Sequence, residues 1–296
     1  MSANNGSQRV GVLLVISNLE YGGAQRQVVE LANHMDTDRF DVHVCSLSPY
    51  VPLSSVLTDA DRRLHIIHKK FKFDLSVAWR LARLMKRLGT EIVHGYLFDA
   101  EIATRLAGQI ARQSVVIGSE RNTDYFLKKI QLATYRVTRP WVDLVIANSN
   151  AGAAFNRRTL GHAESQYRVI HNGVNIELFR RVDGGPVRRE LGFADNDFVV
   201  GMFASFKEQK NHPLIFAAAK RVLEKTSDAM FLFVGEELHR GMHGSDAYKR
   251  SMDELVVKLG IGERCKFIGN RDDVAQVYSA CDITVLPSLF EWPPNA

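Results

Sequence analysis

The sequence predicts an α/β protein built from two Rossmann-like units in tandem, and three observations carry that reading. Short β-rich runs alternate with turn residues and helical stretches in both halves of the chain, a pattern that makes parallel sheets with helices on both faces. The rhythm restarts after residues 172–186, where Asn-Gly, Gly-Gly and Pro mark a junction. With 296 residues, 46% of them hydrophobic, the chain can fill two medium-sized cores. The expected domains are residues 9–182 and 183–296.

In the first half a strand is expected at 10–17, a loop at 18–23 and a helix at 24–35, where Val28, Leu31, Ala32 and Met35 fall at helical spacing. Strands follow at 40–46 and 64–68. The helix at 76–88 sets Val77, Leu81, Leu84, Met85 and Leu88 on one face and Arg80, Arg83, Lys86 and Arg87 largely on the other. Strands at 92–94, 114–118 and 144–148 complete this half. The second half alternates strands at 198–203, 230–234, 265–268 and 283–286 with helices at 213–225, 247–259 and 272–280. Open parallel sheets bind ligands at the carboxyl ends of their strands. With two such sheets, the expected site is a cleft between the units, lined by loops that follow strands.

Composition narrows the partners. Cys45, Cys265 and Cys281 form no CxxC pair and no metal spacing, which fits a reduced, cytoplasmic protein. No HExxH or Cys/His cluster is present, so no metal is expected. No apolar run approaches the ~18 residues of a membrane-spanning helix. Residues 1–8 are polar without a charged n-region and read as a leader, not a signal peptide. The net charge of +5 is uneven: 24 Lys+Arg against 16 Asp+Glu up to Val182, and 14 against 17 from Asp183. A basic first half suits an anionic surface. Lys69-Lys70-Phe71-Lys72-Phe73 interleaves cations and aromatics beside the basic helix, as a peripheral contact with an anionic membrane would need, although a solvated face reads the same way. No RRM, KH or helix-turn-helix pattern accompanies the charge, so nucleic acid is not the expected partner.

Five stretches are candidates for chemistry. Gly22-Gly23 follow the first strand and open a helix; they form either a plain turn or a close backbone approach to a phosphate. The pattern is not GxGxxG, which argues against a dinucleotide dehydrogenase. His94 closes a short strand, either as a satisfied structural histidine or facing the cleft. Lys207 and Lys210 follow the strand at 198–203, where a cation can neutralise a diphosphate or simply be solvated. Gly235, with Glu236 and Glu237, turns out of the next strand. Pro287-Ser288-Leu289-Phe290-Glu291 follows the last strand, where a carboxylate can accept hydrogen bonds from sugar hydroxyls.

Taken in order, these pieces resemble the GT4 glycosyltransferases from about Arg9 to the end of the chain. The strand, Gly-Gly loop and helix at 10–29 look like the family's opening. Val169-Ile170-His171-Asn172-Gly173-Val174-Asn175, followed by Phe179, resembles its interdomain segment. Phe203 to Lys210-Asn211-His212 resembles its donor-phosphate loop, and Phe231-Leu232-Phe233-Val234-Gly235 its next strand and turn. Phe267-Ile268-Gly269, Asp273-Val274, Tyr278, Ala280-Cys281-Asp282 and Leu286 through Glu291 resemble its approach to the nucleotide. The resemblance implies a GT-B fold, with two Rossmann-like domains facing a cleft and the second one incomplete.

It also implies a retaining transfer of sugar from a nucleotide sugar, most commonly a UDP-sugar. The acceptor would be a glycan or a lipid-linked molecule in cell-surface polysaccharide assembly, and no cofactor would be needed. Glu291 and Lys210 would be catalytic. Gly22, Gly23, Ser205, Lys207, Gly235 and Ser288 would join them around the donor, with His94, Arg121 and Asn122 on the acceptor side. Ser205 stands where the family usually has Arg, and Arg121 and Asn122 stand where it often has His. The family's second Glu would fall eight residues after Glu291, past Ala296, so a truncated chain is expected. Two alternatives remain: an inactive remnant that retains acceptor binding, and a sugar-nucleotide epimerase on the same fold.

Overall fold

The computed structural model describes residues 9–71, 74–112, 114–121, 128–239 and 244–289. The chain divides into two compact units, with the boundary between Gly173 and Val174. The first unit runs β1 (Val10–Ile16), α1 (Gly23–His34), β2 (Phe40–Ser46), α2 (Ala60–Arg63), β3 (Leu64–Ile66), α3 (Ser76–Leu88), β4 (Thr90–Tyr96), α4 (Phe98–Ala111), β5 (Val115–Glu120), α5 (Lys129–Thr138), β6 (Leu144–Ala147), α6 (Asn150–Leu160) and β7 (Tyr167–Val169). All its strand pairs are parallel, in the order β3-β2-β1-β4-β5-β6-β7.

The second unit runs α7 (Gly185–Glu190), β8 (Phe198–Phe203), α8 (His212–Leu223), β9 (Ala229–Val234), α9 (Ser245–Leu259), β10 (Cys265–Phe267), α10 (Val274–Ala280) and β11 (Ile283–Thr284). Its sheet is also parallel, in the order β10-β9-β8-β11. Both units are therefore Rossmann-like, with the strand order reversing at the first strand of each.

The cores explain why these residues form these elements. A parallel strand covered on both faces reads as an unbroken apolar run, and β1 is buried throughout except at Val10. Val12, Leu14 and Ile16 pack against Val28, Val29 and Ala32 of α1. Leu13 and Val15 point the other way, into a core with Val77, Leu81 and Met85 of α3 and Ala103 and Ala107 of α4. Each of the valines, leucines, isoleucine and methionine among them contributes about 1.5–3 kcal/mol on burial. α3 spans the expected residues and ends at Gly89, whose φ of 63° closes the helix in the left-handed region.

Two expectations change. The junction sits nine residues earlier than 182/183, because residues 174–182 pack on the second unit: the Val182 amide donates to Ser279 Oγ at 3.1 Å and Phe179 meets Tyr278 edge-on. The strand expected at 92–94 extends to Tyr96, so His94 lies inside it and not at its end. The helices α4, α5 and α6 do not stand out as amphipathic stripes in the sequence. The buried side of α4 holds Glu101, Thr104 and Arg105 among alanines and glycine, which blurs its apolar stripe.

Burial also explains the cysteines. Cys45 and Cys265 are buried and Cys281 half-buried, all as free thiols. Burial pushes the Cys45 and Cys265 thiols up to about 12 and Cys281 to about 11.

Candidate functional site

In an open parallel sheet the ligand crevice lies where the strand order reverses. In the second unit that point is between β8 and β11. The loop after β8 carries Ser205, Lys207 and Lys210, and the loop after β11 carries Ser288. Two hydrogen bonds tie these loops together: the Leu289 amide donates to the Gln209 carbonyl at 2.9 Å, and Asn211 Nδ2 to the Pro287 carbonyl at 3.2 Å. Ser288 sits between the two bonded residues, so the fold brings it to the lysine loop. Ser205, Lys207, Lys210 and Ser288 are all half-buried, neither sealed in the core nor fully exposed.

The lysine loop is held from below. Phe206 is 1% exposed and stacks on His212 with ring centroids 4.4 Å apart, and its amide donates to the Glu236 carbonyl at 3.0 Å. A short 3₁₀ turn, Glu208–Lys210, leads to Asn211 in the left-handed region at φ 55°, and α8 starts directly after it. His212 is buried, and burial, assisted by Lys210 and Lys249, pulls its imidazole down to about 4. It is neutral at pH 7 and adds no charge to the loop.

Gly235 has a backbone reason for its identity. Its φ is +134°, and a Cβ there would stand 2.3 Å from the Ala204 carbonyl oxygen. Its amide donates to the Gly269 carbonyl at 2.8 Å, fastening the turn after β9 to the chain after β10. Glu236 bonds Asn270 Nδ2 at 3.1 Å in the same place. Gly235 thus supports the lysine loop from behind.

In the first unit the reversal lies between β1 and β4. Gly22 caps α1 and Gly23 is its first residue; no side chain caps this end and no acidic residue lies in its first turn. Its amides therefore suit an anion. The approach is fixed by Gln25, which donates to Asn18 Oδ1 at 2.8 Å. A Cβ on Gly22 would meet Gln25 Oε1 at 2.4 Å.

His94 and Arg121 belong to one network near these strand ends. His94 is 5% exposed, and burial with the nearby Arg121 charge lowers its imidazole to about 3. Its Nδ1 pairs with the Tyr96 hydroxyl at 3.0 Å. The Arg121 guanidinium lies over the Tyr96 ring, its Nε donates to Ser119 Oγ at 2.9 Å, and Nη1 donates to Asn172 Oδ1. His94 is thus a buried neutral support, and Arg121 is engaged by the protein itself. Sequence reasoning missed Tyr96, the base of this network, because it reads as one more apolar strand residue. Asn122 and Glu291 lie outside the described residues.

Among the described residues, no group of three His, Cys, Asp or Glu side chains has metal-binding geometry, and no helix is long and apolar enough to cross a membrane. On the basic face, Phe71, Leu75 and Trp79 are exposed, and the Arg83 guanidinium stacks 4.7 Å over Trp79. Lys72 and Phe73 are outside the described residues.

Comparison with known proteins agrees with this geometry. Residues 21–178 match the model of Glycosyltransferase Family 4, and residues 186–293 that of Glycosyl transferases group 1. The chain is 26% identical to a UDP-Gal:α-D-GlcNAc-diphosphoundecaprenol α-1,3-galactosyltransferase of Escherichia coli, over 93% of this chain and 72% of that protein. It is 24% identical to the putative glycosyltransferase EpsF of Bacillus subtilis, over 98% of this chain and 76% of the relative. Among solved structures, Anabaena HepE in complex with UDP and glucose superposes with a TM-score of 0.80 at 22% identity, covering 94% of this chain and 74% of that one. The family model spans more than half of the chain, and both Rossmann-like units have solved GT-B counterparts: the chain belongs to glycosyltransferase family 4.

Proposed function

We propose that this glycosyltransferase moves a sugar from a nucleoside-diphosphate sugar, with UDP the first base to test, to a lipid-linked or glycan acceptor in cell-surface polysaccharide assembly. The observation that carries this reading is the pair of joined loops at the β8/β11 reversal, which gathers Lys207, Lys210 and Ser288 at one strand edge. The similarity to a galactosyltransferase acting on a diphosphoundecaprenol acceptor supports the substrate classes.

The bond between the anomeric carbon and the diphosphate oxygen breaks, and a bond from that carbon to the acceptor oxygen forms on the same face. The acceptor hydroxyl proton leaves with the diphosphate. The difficult event is the build-up of negative charge on the departing diphosphate. Fixed positive charge at that point lowers the barrier by more than it strengthens ground-state binding. Lys210 carries this role, with Lys207 beside it. The open N-terminus of α1 at Gly22-Gly23 supplies uncharged N–H donors for the same kind of group. Glu291 is assigned to the donor sugar. No cofactor is required by this chemistry.

The exposed Phe71, Leu75 and Trp79 beside Arg83 support peripheral contact with an anionic bilayer, where lipid-linked acceptors reside. Binding to vesicles with anionic lipid that matches binding to neutral vesicles refutes this part.

The central experiment is a thermal-shift screen with UDP-, GDP- and ADP-sugars. A ligand at a hundredfold over Kd stabilises by about 2.7 kcal/mol, enough for a clear shift. No shift with any nucleotide sugar refutes the reading. Product analysis with a radiolabelled donor then separates transfer from epimerisation.

A further inference from the structure

The last residues of the first unit, Asn172 and Gly173, are gripped from two directions. Gln27 of α1 forms a paired contact with one residue 146 positions away: its Nε2 donates to the Gly173 carbonyl at 2.6 Å, and the Gly173 amide donates back to its Oε1 at 3.2 Å. From the strand side, Arg121 donates to Asn172 Oδ1. Arg121 is itself fixed, over the fully buried Tyr96 ring and against Ser119 Oγ. At Val174 the chain enters the second unit.

Packing does not explain this grip. Gly173 is exposed, and a Cβ built on it meets nothing within 4 Å. Val174 and Ile176, the next apolar residues, are 60% and 73% exposed. The two Gln27 bonds are solvent-exposed, worth about 0.5–1.5 kcal/mol each at most. Their effect is therefore on the local freedom of one residue and not on the stability of the unit. Gln27 also lies one helical turn beyond Gly23, on the same side of α1. A displacement of the open helix start carries Gln27 with it.

We propose that Gln27 is a positioning residue: together with Arg121 it sets the direction in which the chain leaves the first unit, and it couples that exit to the anion-accepting start of α1. The coupling to turnover rests on the donor reading above, but the grip itself does not.

The test is hydrogen exchange at the peptide containing Gly173, measured for the wild type, Gln27→Ala and Gln27→Glu, alongside kcat and KM for the nucleotide sugar. Ala removes both bonds. Glu keeps the acceptor for the Gly173 amide and loses the donor to its carbonyl. The expected result for Gln27→Ala is about tenfold faster exchange at Gly173 with the melting point unchanged, and a several-fold change in kcat and KM together, as for a position that absorbs backbone motion. Gln27→Glu is expected to retain protection of the amide and lie between the two in turnover. Unchanged exchange in Gln27→Ala overturns the grip. Faster exchange with unchanged kinetics overturns the coupling. A wild type that neither binds nor turns over any nucleotide sugar, with faster exchange still seen in Gln27→Ala, sinks the donor reading and leaves the grip standing.

Discussion

The two units share a strand order around their first strand but keep charge in opposite places. The first unit buries an ion pair in its core. Glu101 and Arg105 on α4 form an ion pair with 2% and 1% of their side chains exposed, closed by the Tyr135 hydroxyl donating to Glu101 Oε2 at 2.9 Å and by Arg105 donating to Thr138 Oγ1 at 3.1 Å. Gly118 makes room for the carboxylate, since a Cβ there would stand 2.5 Å from Glu101 Oε1. At its strand reversal this unit offers the uncapped backbone amides of Gly22-Gly23. The second unit places lysines at its reversal and keeps its bidentate pair, Arg271 with Glu190, at the surface. Buried charge in the first unit specifies how α4 and α5 pack, whereas rim charge in the second is accessible to a ligand.

This contrast can be broken by mutation. The largest effect is expected for Glu101→Ala, which leaves Arg105 buried without its carboxylate: about 3–5 kcal/mol lost in urea unfolding. A loss below 1 kcal/mol would show that the pair is solvated in the working protein. Next comes Lys210→Ala, expected to lower kcat by about 10²–10³ with an unchanged unfolding midpoint, by analogy with loss of a fixed charge-stabilising donor. A fall in stability in place of rate would make Lys210 structural and erase the difference between the units. Gly235→Ala forces a side chain into the Ala204 carbonyl at positive φ. It is expected to cost about 1–3 kcal/mol and to weaken nucleotide affinity in parallel, measured by denaturation and titration calorimetry.

The histidines sharpen the comparison by behaving alike. Folded His94 titrates at about 3 and His212 at about 4, both below the unfolded value of 6.5. The unfolded chain therefore binds more protons in that window. Stability is fully present above pH 6.5 and falls as pH drops towards 3–4, by up to about 1.4 kcal/mol per pH unit for each residue. His94→Gln should flatten its share of an acid denaturation curve; an unaltered slope contradicts the buried neutral state. The smallest effect is expected for Arg271→Ala, which removes a partly exposed fork to Glu190 and Asp273: a slightly lowered unfolding midpoint with nucleotide affinity unchanged.

The sequence carried most of the fold because parallel strands covered on both faces must be apolar: β1, β8 and β9 are nearly self-evident as runs, and α3 as an amphipathic stripe. α4 was not legible because its buried face is ionic. The loop positions of Lys207, Lys210 and Ser288 followed from topology alone. The joining of their loops did not, since it depends on the left-handed turn at Asn211 and on one amide at Leu289. A strand at 92–94 leaves His94 open to either role, whereas β4 runs on to Tyr96 and makes it an interior strand residue. The bond between Gln27 and Gly173 spans 146 positions, and no local pattern announces it.

The full burial of Cys45 and Cys265 and the partial burial of Cys281 have a practical meaning. Thiolate is the reactive form, and with values raised to about 11–12 fewer than about one thiol in a thousand is ionised at pH 7.5. To maleimides and similar reagents the native chain behaves as if it had almost no cysteine. A pair of new cysteines, one on each side of Gly173, would accept fluorophores selectively without first removing Cys45, Cys265 or Cys281. The distance between the units could then be followed directly as a nucleotide sugar is added.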